Sequence, residues 1–181
     1  MLRLKFLFQL LLFWFLLKGV SIKVKSNQGN IYDAINLWFE QLGLQLGLQL
    51  KLEENGHIQL NCGGFSVTVE VSDLAGAIFF YSKIIELPKE QQAREAAYVN
   101  TLEANAFGIL TNGAHLALSE AKDAITLTFA LSIEAIDGST FLSCLSEFIN
   151  TVKGLKDKNI LVQDKFLNPT QHCLHQLNLG R

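Results

Sequence analysis

Acidic residues are missing from the first 25 positions, methionine occurs only at Met1, and cysteine only at Cys62, Cys144 and Cys173. An odd number of cysteines without a pairing pattern gives no disulfide framework. Cys62 falls on the apolar face of a strand pattern and Cys144 within a helical one, so both read as small buried hydrophobes. A reducing cytoplasm is then the simplest compartment. Catalytic constellations are missing as well. His57 lies beside a turn and His115 opens a strand, with no motif placing a nucleophile or paired acid near either, so both read as exposed or capping residues. His172, Cys173 and His175 are metal-ligand types, but they lack a fourth ligand and a supporting shell. Gly63–Gly64 is accounted for by a hairpin turn rather than a phosphate cradle. The residues therefore support no enzyme, no metal site and no cofactor.

What is present begins with segregated charge. The net charge of −2 over 181 residues hides three regions. Residues 1–25 carry five bases and no acids, residues 26–150 carry fifteen acids against five bases (net −10), and from Lys153 onward five bases face two acids. An acidic domain is a poor nucleic-acid binder. It suits solubility and encounter with basic or amphipathic protein partners. Within Met1–Val20 the run Phe6–Leu17 is apolar except for Gln9, shorter than the ~20 residues a membrane-spanning helix needs. Three readings of this segment stand: an export signal, a peripheral amphiphilic anchor, or sequence upstream of a start near Val20 or Val24. Any membrane contact would run through residues 1–20.

The strongest local pattern has period two. Leu48, Leu50 and Leu52 alternate with polar residues, as do Ile58, Leu60 and Cys62, and then Phe65, Val67, Val69 and Val71. This predicts a three-strand antiparallel meander. A three-residue loop Glu54–Asn55–Gly56, with Gly56 left-handed, pairs Leu52 with Ile58 and keeps one apolar face. A two-residue turn at Gly63–Gly64 pairs Leu60 with Val67 and Ile58 with Val69. A one-residue slip at either turn would move the apolar set into water.

Around the meander the spacing predicts a first helix over Asn30–Leu42, stopped by Gly43, with Ile31, Ile35, Trp38 and Leu42 on one face. Ala77–Leu87 reads as a strand apolar on both faces, hence central or turned towards a partner. Pro88 is expected to open an alanine-rich second helix at its first position. His115–Ser119 and Ala124–Ala135 predict a hairpin around Glu120–Asp123, with Ile125, Leu127, Phe129, Leu131 and Ile133 inward. A last helix follows Asp137–Gly138, with Phe141, Leu142, Leu145, Phe148, Ile149 and Val152 on one stripe, closed by Gly154. Leu155–Arg181 lacks periodicity and reads as a tail. The division is thus a hydrophobic, basic segment 1–25, an α+β domain 26–155 and a tail 156–181.

This order, with LEENGHIQL at 52–60, VTVEV at 67–71, IIELP at 84–88, LEANAFG at 102–108, GAHLALSE at 113–120 and ITLTFALSIEAID at 125–137, resembles the Tir-chaperone family, the class I chaperones of type III secretion. The resemblance covers about residues 30–155. It implies a homodimer of a twisted antiparallel sheet with three helices. Its function would be to bind the N-terminal region of a secreted effector in non-globular form and keep it soluble and secretion-competent, without ATP. It also implies a cytoplasmic, virulence-linked role and contact with the secretion ATPase or sorting platform. Carried onto this chain, the helix Lys89–Phe107 becomes the dimer helix, with Ala93, Ala97, Tyr98 and Leu102 at the interface. The effector surface would use the first helix and neighbouring sheet, through Leu37, Trp38, Phe39, Phe79 and Tyr81, although such aromatics more often serve a core. The rival reading, carried by residues 1–20, is an exported or membrane-attached ligand-binding or structural protein.

Overall fold

The computed structural model describes residues 31–162. The segment 1–25 with its three readings, and His172, Cys173 and His175, lie outside the described residues. Within them, five strands form one antiparallel sheet: β1 (His57–Asn61), β2 (Ser66–Ser72), β3 (Ala77–Glu86), β4 (His115–Leu118) and β5 (Ala124–Ser132), in the order β1-β2-β3-β5-β4. Three helices accompany it: α1 (Ile31–Leu46), α2 (Gln91–Asn105) and α3 (Gly138–Asp157). The fold class is α+β, as the sequence patterns and the resemblance implied.

The meander register holds on its second arm. Leu60 stands opposite Val67 and Ile58 opposite Val69, and the Cys62 N–H donates to the Phe65 carbonyl at 2.8 Å across Gly63–Gly64. Its first arm differs. The Glu54–Asn55–Gly56 loop forms as expected, with Gly56 at φ 79°, the Gly56 N–H on the Glu53 carbonyl (2.9 Å) and the Glu53 N–H on the His57 carbonyl (2.7 Å). The ladder then stops, because the Leu52 N–H turns away to Asn36 Oδ1 at 2.8 Å. Leu48–Leu52 is therefore not a strand. Its alternation records a segment tied to α1, with Leu52 buried and Leu48 exposed.

Helix ends differ from expectation. α1 runs through Gly43 to Leu46, and the left-handed residue after it is Gly47, at φ 67°. The Leu48 N–H reaches the Gly43 carbonyl at 2.9 Å, the long bond of a Schellman cap. Gly43 serves close approach instead: a Cβ there would lie 2.5 Å from the Leu48 carbonyl oxygen. α2 begins at Gln91 rather than Pro88, because the Glu90 carboxylate accepts from the Gln92 and Ala93 N–H groups at 2.9 and 2.6 Å. α3 starts as read, on the Asp137 carboxylate, which accepts from the Thr140 N–H at 2.8 Å. It does not close at Gly154 but continues to Asp157. Leu155 and Leu161 are buried, and the Asn100 amide donates to the Leu161 carbonyl at 3.2 Å. The folded domain therefore extends past residue 155, where the sequence had only a tail.

The core lies between one sheet face and helices α1 and α3. Phe141 is its centre, with ring centroids 5.3 Å from Trp38, 5.4 Å from Phe39 and 5.7 Å from Phe80. Gly138 lets α3 start against α1, since a Cβ there would sit 2.7 Å from Trp38 Nε1. β3 is the middle strand of the sheet, but only one of its two apolar faces is covered. Ile78, Phe80 and Ile84 are buried, while Phe79 and Tyr81 on the other face are half-buried, and Ile85, past the bulge and opposite Ile125, packs against the core. The strand shifts register between Lys83 and Ile85, and Lys156 Nζ from α3 holds the Ile84 carbonyl at 2.9 Å. On β5, Ile125 and Leu127 are buried but Phe129 and Leu131 only half so.

Candidate functional site: two interaction surfaces

The sheet presents its second face away from the core. Period-two alternation sends His57, Glu70, Phe79 and Ala130 across it in one row, with Gln59, Thr68, Tyr81, Thr128 and His115 in the next. Phe79 and Tyr81 thus form an apolar strip in a polar field. His57 Nε2 and Glu70 Oε2 pair at 3.1 Å. Burial, then the Glu70 carboxylate beside it, raises the pKa of the Tyr81 hydroxyl.

The two ends of the sheet differ. Along β1, residues Ile58, Leu60 and Cys62 bond towards β2, so antiparallel alternation turns the Gln59 and Asn61 backbone groups outward. At the β4 edge the outward backbone is taken by α2: Asn105 Oδ1 accepts from the Leu116 N–H at 2.8 Å and Nδ2 donates to its carbonyl at 2.9 Å. β1 is the open edge.

Of the five effector-surface candidates, the structure brings together only Phe79 and Tyr81 on one open face. Trp38 and Phe39 are 3% and 0% exposed, stacked on Phe141, and belong to the core. Their periodicity was compatible with either role, and ring packing decides it. Leu37 lies on the solvent side of α1, as do Leu44 and, past the cap, Leu48.

α2 makes the second surface. Its buried residues are Ala97, Asn100, Thr101 and Ala104, all small or polar. Ala97 is 2% exposed within the protomer itself, so it is removed from the interface candidates. Ala93, Tyr98 and Leu102 remain outward, Leu102 at 72%. Sequence reasoning missed Val99, Phe107, Ile109, Leu110 and Leu118, all exposed large hydrophobics on or near this helix. A signal was available: no Asp, Glu, Lys or Arg occurs from Ala104 to Ser119. Charge depletion of this kind marks interface cores.

A cavity of about 20 Å³, lined by Thr111, Asn112, Cys144 and Thr151 among others, has room for a water molecule rather than a substrate. The buried Thr111 hydroxyl has no partner among the described residues and suits that water. Burial pushes the Cys62 thiol up to about 11, away from the reactive thiolate form. His115 is exposed, and among the described residues no group of His, Cys, Asp or Glu could hold a metal ion. No described helix is long and apolar enough to cross a membrane.

Against known proteins, the model of the Tir chaperone protein (CesT) family matches residues 39–156. The ExsC–ExsE complex contains a chain similar over 71% of this one and 96% of its own length, at 15% identity and TM-score 0.55. A chain of the heterodimeric ExoU–SpcU complex from the type III secretion system of Pseudomonas aeruginosa is similar at 17% identity and TM-score 0.51, covering 71% and 98%. One from the HopA1–SchA chaperone–effector complex is similar at 14% identity and TM-score 0.50, covering 68% and 96%. No curated protein matches the sequence.

Proposed function

The chain belongs to the Tir chaperone protein (CesT) family, and we infer from that membership that it is a type III secretion chaperone, holding the N-terminal region of a secreted effector in a soluble, export-ready form. The family match across the whole sheet and into α3 carries this reading. Such a role needs no reaction chemistry. An extended segment gains main-chain hydrogen bonds along an open sheet edge and places alternate side chains in apolar strips. β1 offers the edge, through Gln59 and Asn61, and Phe79 and Tyr81 offer the strip. The acidic domain draws basic segments towards it and speeds encounter.

The second surface serves a different partner. Tyr98 and Leu102 on α2, with Ala93 at its start, make the contact between two copies in a homodimer. The dimer works in the cytoplasm, without ATP, and delivers its cargo to the secretion ATPase or sorting platform.

The test is made in the native host. The chaperone is immunoprecipitated, its partner identified by mass spectrometry, and export of that partner compared with and without the chaperone gene. Capture of a secreted protein through its N-terminal region, with export lost in the deletion strain, is expected. Unchanged export of every captured partner would overturn the reading. Phe79→Asp with Tyr81→Asp should abolish capture without altering the dimer mass.

A further inference from the structure

Phe107 is the residue that the protomer explains least. It follows α2 with φ 59° and ψ 4°, the left-handed region, and Gly108 continues there at φ 66°. A bulky side chain in that conformation is an outlier. Glycine or asparagine would hold the same turn with less strain. No packing compensates, because the Phe107 side chain is 97% exposed. Strain without local return points to a contact outside the protomer.

We propose that Phe107 is the anchor by which α2 and its following loop grip a second copy of this chain, its ring held outward at the expense of protomer stability. The inference rests on the homodimer reading and names the residue that dominates that interface. A second copy is the occupant for three reasons. The stretch from Ala104 to Ser119 carries no formal charge within an acidic domain, so it offers nothing to a basic effector segment. Phe107, Leu102, Ile109 and Leu110 are all large apolar side chains left exposed by the protomer, the kind that fills the buried core of an interface. A single apolar patch meets its own copy around a two-fold axis, with the same residues on both sides. The effector surface, in contrast, lies on β3 and the β1 edge.

The full chain is measured by light scattering over a dilution series, beside Phe107→Asn and Phe107→Leu. Asparagine tolerates the left-handed backbone and removes the ring, whereas leucine keeps the strain and part of the apolar surface. The wild type should be dimeric, and Phe107→Asn should weaken dimerisation by about tenfold or more, as loss of an anchor does. Phe107→Leu should fall between them. At dilutions where all are monomeric, Phe107→Asn should melt a few degrees above the wild type. A wild type that stays monomeric overturns the homodimer reading itself. A dimeric wild type matched by an equally tight Phe107→Asn overturns the anchor and leaves the homodimer standing. A lower melting point, or a failure to fold, in Phe107→Asn overturns the claim that the ring is held at the protomer's expense.

Discussion

α1 and α2 are of nearly equal length, yet they invert each other's use of large side chains. α1 places Ile35, Trp38 and Phe39 inside, and at Gly43 it has no side chain where Leu48 crosses. α2 places Ala97, Asn100, Thr101 and Ala104 inside and leaves Tyr98, Val99 and Leu102 outside. A helix that buries its bulk gets its stability from its own protomer. One that buries alanine and exposes leucine is only half packed by it, and its remaining apolar face fits a partner. The contrast separates scaffold from surface, and it can be broken at either end.

The largest effect belongs to the α1 side. Phe141 touches Trp38, Phe39 and Phe80 at once, so Phe141→Ala removes the shared centre of three aromatic contacts. It should cost about 3–5 kcal/mol in urea unfolding. A loss below about 1 kcal/mol would mean that α1 and α3 are not joined through that ring. Gly138→Ala, which pushes a methyl into the Trp38 indole, should cost ~1–3 kcal/mol by the same measurement.

On α2 the same chemistry should have opposite consequences at two positions five residues apart, on different faces of the helix. Arginine at Ala97 places an unpaired charge inside the protomer and should destabilise it by roughly 3 kcal/mol or more. Leu102→Arg sits in solvent within the protomer and should change its unfolding free energy by less than ~0.5 kcal/mol. Its effect should appear in light scattering, as a shift towards monomer. If Ala97→Arg unfolds no more easily than Leu102→Arg, the two faces of α2 have been assigned the wrong way round.

These contrasts also mark what was legible in the sequence. The β1–β2 register, the Glu54–Gly56 loop, the central β3 and the α3 stripe could be read because alternation and turn chemistry are local. The Leu48–Leu52 strand could not, since a half-buried segment alternates whether its backbone bonds a strand or, as here, Asn36. Trp38 and Phe39 fit a helical stripe in core and groove alike, and only Phe141, a hundred residues later, decides between them. Ala97 looked like interface because small residues permit close approach, which its own protomer also exploits. The strain at Phe107 was invisible for a different reason: the charge-free stretch around it could be seen, but a backbone angle leaves no trace in composition.

The smallest effect concerns how α2 begins. α1 is fixed by deep aromatic contacts, whereas the first turn of α2 depends on an exposed carboxylate. The N–H groups of Ala93 and then Gln92 stabilise the charged Glu90 side chain and hold its pKa below the usual glutamate range. A carboxyl lowered in the folded state contributes its stability above the unfolded value and loses it as pH falls through the folded one. Acidification below the ordinary carboxylate range should therefore fray this turn first. Corrected for intrinsic exchange, protection of the Gln92 and Ala93 amides should fall there while that of α1 amides near Trp38 persists. Glu90→Gln should reproduce the loss at neutral pH. Equal loss of protection in both helices would mean that α2 is packed as firmly as α1, and the distinction between scaffold and surface would fail at its weakest point.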